Sequence, residues 1–148
     1  MEDDAPPGVK HLGHAFELTK QVERRLGGDE IAWLTTVTPD GKPAPRPVWF
    51  LWDGESIVIY SLNNAARLRY IEHNPQVTVH FNSNGGGDIL VISGRAERLA
   101  DAPPPSKFPG LLDKYGPVME RMGQTPQWYD DRYGTALRVI PERTWGFG

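Results

Sequence analysis

The sequence predicts a mainly β domain: a six-stranded antiparallel barrel with short helices at its start, middle and end. Three observations carry this. Apolar stretches are short, none longer than five residues. Turn dipeptides such as Asp40-Gly41 and Asp53-Gly54 separate them, and their glycines supply the positive φ that tight hairpins need. The 16 Gly and 14 Pro make up about a fifth of the 148 residues, against about 12% in an average chain, yet form no low-complexity tract.

The elements follow in order. Residues 1–13, the first ten without any periodic pattern, read as a disordered arm, and residues 14–148 as one domain. Over residues 14–27, Ala15, Phe16, Leu18, Val22 and Leu26 recur at helical spacing until Gly27-Gly28 ends the pattern. β-Branched and aromatic residues make 30–38 a strand, which returns as 44–52, and 56–61 is a third strand. Residues 64–73 form a short helix stopped by Asn74-Pro75. Strict alternation makes 76–81 a strand, and after the Gly-rich turn 82–87 a long strand spans 88–99 with a bulge at Gly94. A proline-rich connection leads to a helix over 111–122 that Pro117 breaks or kinks. Residues 127–133 are ambiguous. Residues 135–140 are the last strand, with a short piece added at 144–148.

Composition excludes several function classes. Sixteen Lys+Arg against 19 Asp+Glu leave a net charge of −3, which argues against a nonspecific nucleic-acid binder while permitting a local basic pocket. The absence of Cys removes disulfides, thiolate catalysis, Fe–S clusters and Cys-based zinc sites together. The acidic N-terminal MEDDAPPG is unlike a secretory n-region, and no apolar run approaches the roughly 20 residues of a membrane span. The chain reads as a soluble, cytoplasmic domain.

Two features point to a binding site. Pro43, Pro45 and Pro47 are spaced two apart, so in a strand they all strip N–H donors from one edge. That edge is open, either as a simple end to the sheet or toward a ligand. In YSLNNAARLR a strand ends at Ser61, the chain turns through Asn63-Asn64, and a helix opens with Ala65, Ala66, Arg67 and Arg69. A helix start favours an anion, Ser61 adds a hydroxyl, and an Arg forks onto phosphate oxygens. At about 100° per residue the two Arg point roughly 200° apart, so one helix face cannot present both. The alternative is a capped surface helix with solvated arginines; Arg46 in the neighbouring hairpin favours the pocket.

Other candidates are weaker. His11 and His14 have no supporting ligands for a metal, and NGGGD at 84–88 is neither a P-loop nor a dinucleotide fingerprint. No Ser/His/Asp arrangement or nucleophile elbow exists. Phosphate anchors and aromatic residues without a nucleophile or metal suit a cofactor that carries its own chemistry. Trp49, Trp52, Trp128, Tyr129 and Trp145 are candidates to stack on a planar ring or simply to pack the core.

In WLTTVTPDGKPAPRPVWFLWDG, IVIYSLNNAARLRYIEHNPQVTVHF, ILVISGRAERL and the terminal RVIPERTWGF, residues 28–145 resemble the flavin/deazaflavin oxidoreductases of the split β-barrel, the pyridoxamine-phosphate-oxidase-like proteins. The chain looks most like the actinobacterial branch that uses the deazaflavin coenzyme F420 in place of FMN. The resemblance implies a homodimer with two cofactor sites at the subunit interface. It puts the cofactor at Arg46, Pro47, Val48, Trp49, Tyr60, Ser61, Asn63, Ala66, Arg67 and Arg69, with Ser61, Arg67 and Arg69 on the phosphate and Arg46–Trp49 lining the ring. A partner subunit contributes from its 76–82 strand or C-terminal Trp residues. The implied reaction is hydride transfer between the reduced cofactor and an unsaturated small molecule, with the product's proton coming from solvent, Tyr129 or His80. A noncatalytic flavin- or tetrapyrrole-binding protein is the reading from another class. Neither the proline-rich 103–109 segment nor Trp128-Tyr129 matches a family hallmark, so the substrate pocket stays open.

Overall fold

Period-two alternation forces one face of a strand inward, and the central strands obey it. The structure, a computed structural model, describes residues 13–147; the arm expected over 1–13, Gly13 apart, and His11 lie outside the described residues. β1 (His14–Ala15) is followed by helix α1 (Lys20–Gly28), β2 (Ala32–Val37), β3 (Pro43–Val48), β4 (Leu51–Trp52), β5 (Ile57–Ser61) and α2 (Arg67–His73). Then come β6 (Gln76–Phe81), β7 (Ile89–Arg98), a single 3-10 turn (Pro105–Lys107), α3 (Leu111–Arg121), α4 (Pro126–Arg132) and β8 (Thr135–Phe147). Ala32 and Leu34 of β2, Val79 and Phe81 of β6, and Leu90 and Ile92 of β7 all point into one core. None of the helices in the described residues is long and apolar enough to cross a membrane.

The strands form one antiparallel sheet in the order β3-β2-β6-β7-β8-β5-β4, with β1 added along β8. Its two edge strands, β3 and β4, are consecutive in the chain and joined only by Trp49 and Phe50, so the sheet has to curl back on itself into a half-barrel. The mainly β antiparallel class holds, but the strand count is eight rather than six.

Two strands were not expected. The run 44–52 divides because the backbone of Phe50 is bonded elsewhere: its N–H donates to the Tyr115 hydroxyl (2.9 Å), and its carbonyl accepts from Lys114 Nζ (2.9 Å). The first helix begins at Lys20 rather than residue 14, because the Thr19 side chain caps it by accepting from the Val22 N–H (3.2 Å). Upstream of that cap, His14 and Ala15 pair with Thr144 and Arg143 instead. The last strand and the short piece after it are one continuous β8.

Other expectations hold. β3 ends the sheet, with Pro43, Pro45 and Pro47 opposite Val37, Thr35 and Trp33, so the edge stripped of donors is open. The bulge falls between Ser93 and Gly94, where a Cβ on Gly94 would sit 2.2 Å from the Ile140 carbonyl oxygen. The break allowed for at Pro117 does not occur, since α3 runs through it to Arg121, and the ambiguous 127–133 segment is α4, capped by Thr125 with Pro126 in its first turn.

α1 fastens the far end of the barrel. Arg25, 4% exposed, donates to the carbonyls of Asn82 (2.5 Å) and Asp88 (2.6 Å) and pairs with Asp29 (2.8 Å). Gln21 donates to the Asp88 carboxylate (2.9 Å) and to the Phe147 carbonyl (3.0 Å). Hydrogen bonds from Arg24 and then Gln21 hold the Asp88 carboxyl down to about 2.

Candidate functional site: an aromatic cavity with two cations

β5 is buried on both faces, and this places the site. Ile57 and Ile59 point into the barrel; Val58 and Tyr60 point out, beneath α3 and α4. There Leu111, Tyr115 and Met119 of α3 and Tyr129 of α4 complete a second cluster, dominated by rings. Trp49 stacks on Tyr115 (4.6 Å between centroids, 11° between planes) and on Tyr129 (5.3 Å, 22°). Tyr129 lies 4.8 Å from Tyr133, and Trp128 5.8 Å from Tyr133.

Between these rings and the sheet is a cavity of about 320 Å³. Pro47 and Val48 of β3, Trp49, Tyr60 of β5 and Arg67 of α2 line it from the barrel side, with Ile31 and Leu62 at its margins. Met122, Trp128, Tyr129 and Tyr133 close it from the helical side. Its volume and apolar, ring-rich lining fall in the range of small-molecule sites.

The electrostatics are one-sided. Burial, and next the charge of Arg46, push the pKa of Arg67 below its ordinary value. The charge of Arg46 is thus felt at Arg67, and no carboxylate of the described residues lies within ion-pair distance of either. Among the described residues the Arg46 guanidinium bonds the Pro45 carbonyl (2.7 Å). An anion at Arg67 gains from both charges and relieves their repulsion.

Five of the ten residues expected from the sequence line the cavity: Pro47, Val48, Trp49, Tyr60 and Arg67. Arg46 stands beside it through its field on Arg67. The other four lie outside the lining. Ser61 follows Tyr60 in the strand and so shares the barrel-facing side of Ile57 and Ile59; its hydroxyl is buried without a hydrogen-bond partner among the described residues. The Asn63 side chain accepts from the Gly134 N–H (2.9 Å) and pins the start of β8. Ala66 occupies the N-cap of α2, and Arg69 is exposed. Among the lining residues outside that expected set, Tyr133 sits one turn beyond Tyr129, and this spacing after Thr125-Pro126 is the local signal for α4. Leu62, Met122 and Ile31 carry no such signal.

The three buried tyrosines are held neutral. Burial, followed by the Asp130 carboxylate, pushes Tyr60 up to about 12, and its hydroxyl donates to the Pro103 carbonyl (2.6 Å). Burial raises Tyr115 and Tyr129 further still. His80 is elsewhere: it stacks on Trp33 (6.1 Å, 8°) on the outer face of the sheet.

The family model for pyridoxamine 5'-phosphate oxidase matches residues 18–147. The chain belongs to the pyridoxamine 5'-phosphate oxidase family. Solved structures agree on the fold. A putative pyridoxamine 5'-phosphate oxidase from Listeria innocua superposes with a TM-score of 0.61 at 21% identity, covering 87% of this chain and 97% of that one. An F420 reductase gives 0.60 at 25% identity (83% and 94%). The heme storage protein HutZ of Vibrio cholerae gives 0.60 at 18% identity (90% and 98%). Among curated proteins none matches the sequence. Members of one fold family thus include oxidoreductases and a heme-storage protein, so the site has to discriminate between them.

Proposed function

We propose that this family member is an oxidoreductase that binds coenzyme F420, with FMN as the alternative cofactor, and reduces an unsaturated small molecule. The observation that carries this reading is the pair of un-neutralised guanidiniums, Arg46 and Arg67, at one side of a cavity walled by aromatic rings. Both cofactors join a flat ring system to an anionic tail, and the residues present suit both parts. Arg67, with Arg46 beside it, holds the anion. Pro47, Val48 and Trp49, at the strand edge that prolines keep free of a neighbouring strand, would hold the ring. Once bound, the deazaflavin supplies a hydride to an electrophilic double bond. The chain's own part is to orient two flat molecules face to face and to exclude water with the Trp128–Tyr133 segment. The F420 reductase at 25% identity, and the resemblance over residues 28–145, favour F420 over FMN.

The cavity's composition weighs against the tetrapyrrole reading. No histidine lines it, and its one sulfur, Met122, belongs to a half-exposed residue.

We propose further that the protein acts as a homodimer. On the outer face of the sheet, Pro47, Trp33, His80, Val91 and Trp145 form one continuous row across five strands. Trp145 and Phe147 at its end are 47% and 55% exposed, which leaves large apolar surface for a second copy. The row begins at Pro47, a wall of the cavity, so such a copy sits beside the cofactor.

Titration of the apo-protein with F420 and with FMN tests the assignment. The expected result is tighter binding of F420, and Arg67→Ala weakening it by about 1.5–3 kcal/mol, the scale of a charge-assisted bond to phosphate. Unchanged affinity in Arg67→Ala removes the arginine pair from the site.

A further inference from the structure

Three of the five tyrosines are buried within the aromatic cluster, and they differ in one respect. Tyr60 donates to Pro103 (2.6 Å), and Tyr115 reaches the Glu30 carbonyl (2.7 Å) while accepting from the Phe50 N–H. Tyr129 is 2% exposed as a residue, and its hydroxyl has no hydrogen-bond partner among the described residues. The hydroxyl oxygen is not one of the sealed, unpaired polar atoms of the interior, so what exposure the residue keeps reaches it. Tyr129 lines the cavity, so the hydroxyl opens there and a partner for it belongs there. The indole N–H groups of Trp49 and Trp128 also lack acceptors among the described residues, but both residues are only half-buried.

We infer that the Tyr129 hydroxyl is a hydrogen-bond donor to the substrate, taking the carbonyl-type oxygen of a flat, conjugated molecule seated against Trp49. This rests on the reading of the cavity as the redox site. The wall favours an acceptor on the ligand: Arg67, Trp49 and Trp128 can only donate, the tyrosines donate or accept, and no carboxylate or amide lines it. Tyr60 already donates to the Pro103 carbonyl, which leaves Tyr129 as the buried tyrosine of the lining with a proton to offer. Burial, and after it the neighbouring tyrosines, keep the phenol protonated well above neutral pH, so it holds its proton and acts as a fixed dipole. Such a donor draws electron density toward the oxygen and fixes which end of a flat ligand points inward. His80, stacked on the outer face of the sheet, does not line the cavity and cannot serve this role.

The test uses cofactor-free protein and two probes of one shape, 2-acetylnaphthalene and 2-isopropylnaphthalene, which differ in a carbonyl oxygen. Equilibrium dialysis is expected to give the ketone about a fivefold preference, the value of one neutral hydrogen bond. Tyr129→Phe is expected to abolish that preference, leave the hydrocarbon's affinity within about twofold, and leave thermal stability unchanged because no protein bond is lost. Tyr60→Phe is expected to keep the preference. Absence of the preference in the wild type, or its survival in Tyr129→Phe, overturns the inference. So does a loss of F420 affinity in Tyr129→Phe with the ketone preference intact, which assigns the hydroxyl to the cofactor. Failure of the wild type to bind F420 or FMN while the ketone preference depends on Tyr129 sinks the cofactor reading and leaves the donor in place.

Discussion

One strand, β5, serves two regions of opposite character. Inward, Ile57 and Ile59 meet Leu34, Val79, Ile92, Leu137 and Val139, all at most 1% exposed. Outward, Val58 and Tyr60 meet Tyr115, Met119 and Tyr129 under the helices. Branched aliphatic chains interdigitate and fill space at near-crystalline density. Rings stacked at 4.6–5.3 Å do not tile a volume, and their polar tips each demand an acceptor. The barrel is thus the stable scaffold, and the aromatic side leaves both a cavity and directed donors.

Substitution inside the barrel should have the largest effect on stability and none on ligand selection. Ile59→Ala is expected to cost about 2–5 kcal/mol in chemical denaturation while leaving cofactor affinity unchanged in the surviving folded protein. A matching loss of affinity would mean that the two regions are not separable.

High pH should strike the other side. Tyr60, pushed from 10 up to about 12, contributes stability that is fully present below pH 10 and is lost as pH rises through about 12. Tyr115 and Tyr129, raised in the same direction, act alike. Phenolate absorbance should therefore develop together with loss of the aromatic near-ultraviolet circular dichroism. Ionisation of all five tyrosines near pH 10 in the folded protein would refute the burial argument.

The smallest effect is expected at the open edge. Pro47→Ala should change stability by less than about 1 kcal/mol, since the proline faces away from β2 and replaces no ladder bond. A loss above about 2 kcal/mol in the same denaturation measurement would show that the edge is paired.

Legibility in the sequence follows the range of the forces involved. Alternation over residues 76–81, the hairpin dipeptides, the bulge at Gly94 and the proline edge are local signals, and each corresponds to an observed feature. The break at Trp49-Phe50 is not local: it depends on a Tyr115 hydroxyl 65 residues away, which no pattern within a run of five apolar residues discloses. The same holds for the cavity. Its barrel half is written in the prolines and in the turn before Arg67, whereas its helical half is assembled only when α3 and α4 fold back over β5. Ser61 is a different case: strand alternation puts it on the barrel-facing side with Ile57 and Ile59, opposite Tyr60, and it lies outside the cavity lining.

The clasp at the far end of the barrel sets an order on synthesis. β1 pairs with β8, and Gln21 of α1 bonds the Phe147 carbonyl, so the earliest described elements to leave the ribosome find some of their partners only in the last of the described strands. Until β8 emerges, the apolar stripe of α1, with Val22 and Leu26, has no completed wall to rest on. This corner of the molecule closes only once β8 has been made, and shortening β8 at its end would loosen the first helix, leaving it held by the Arg25 bonds to Asn82 and Asp88, before it disturbed the ring-lined cavity.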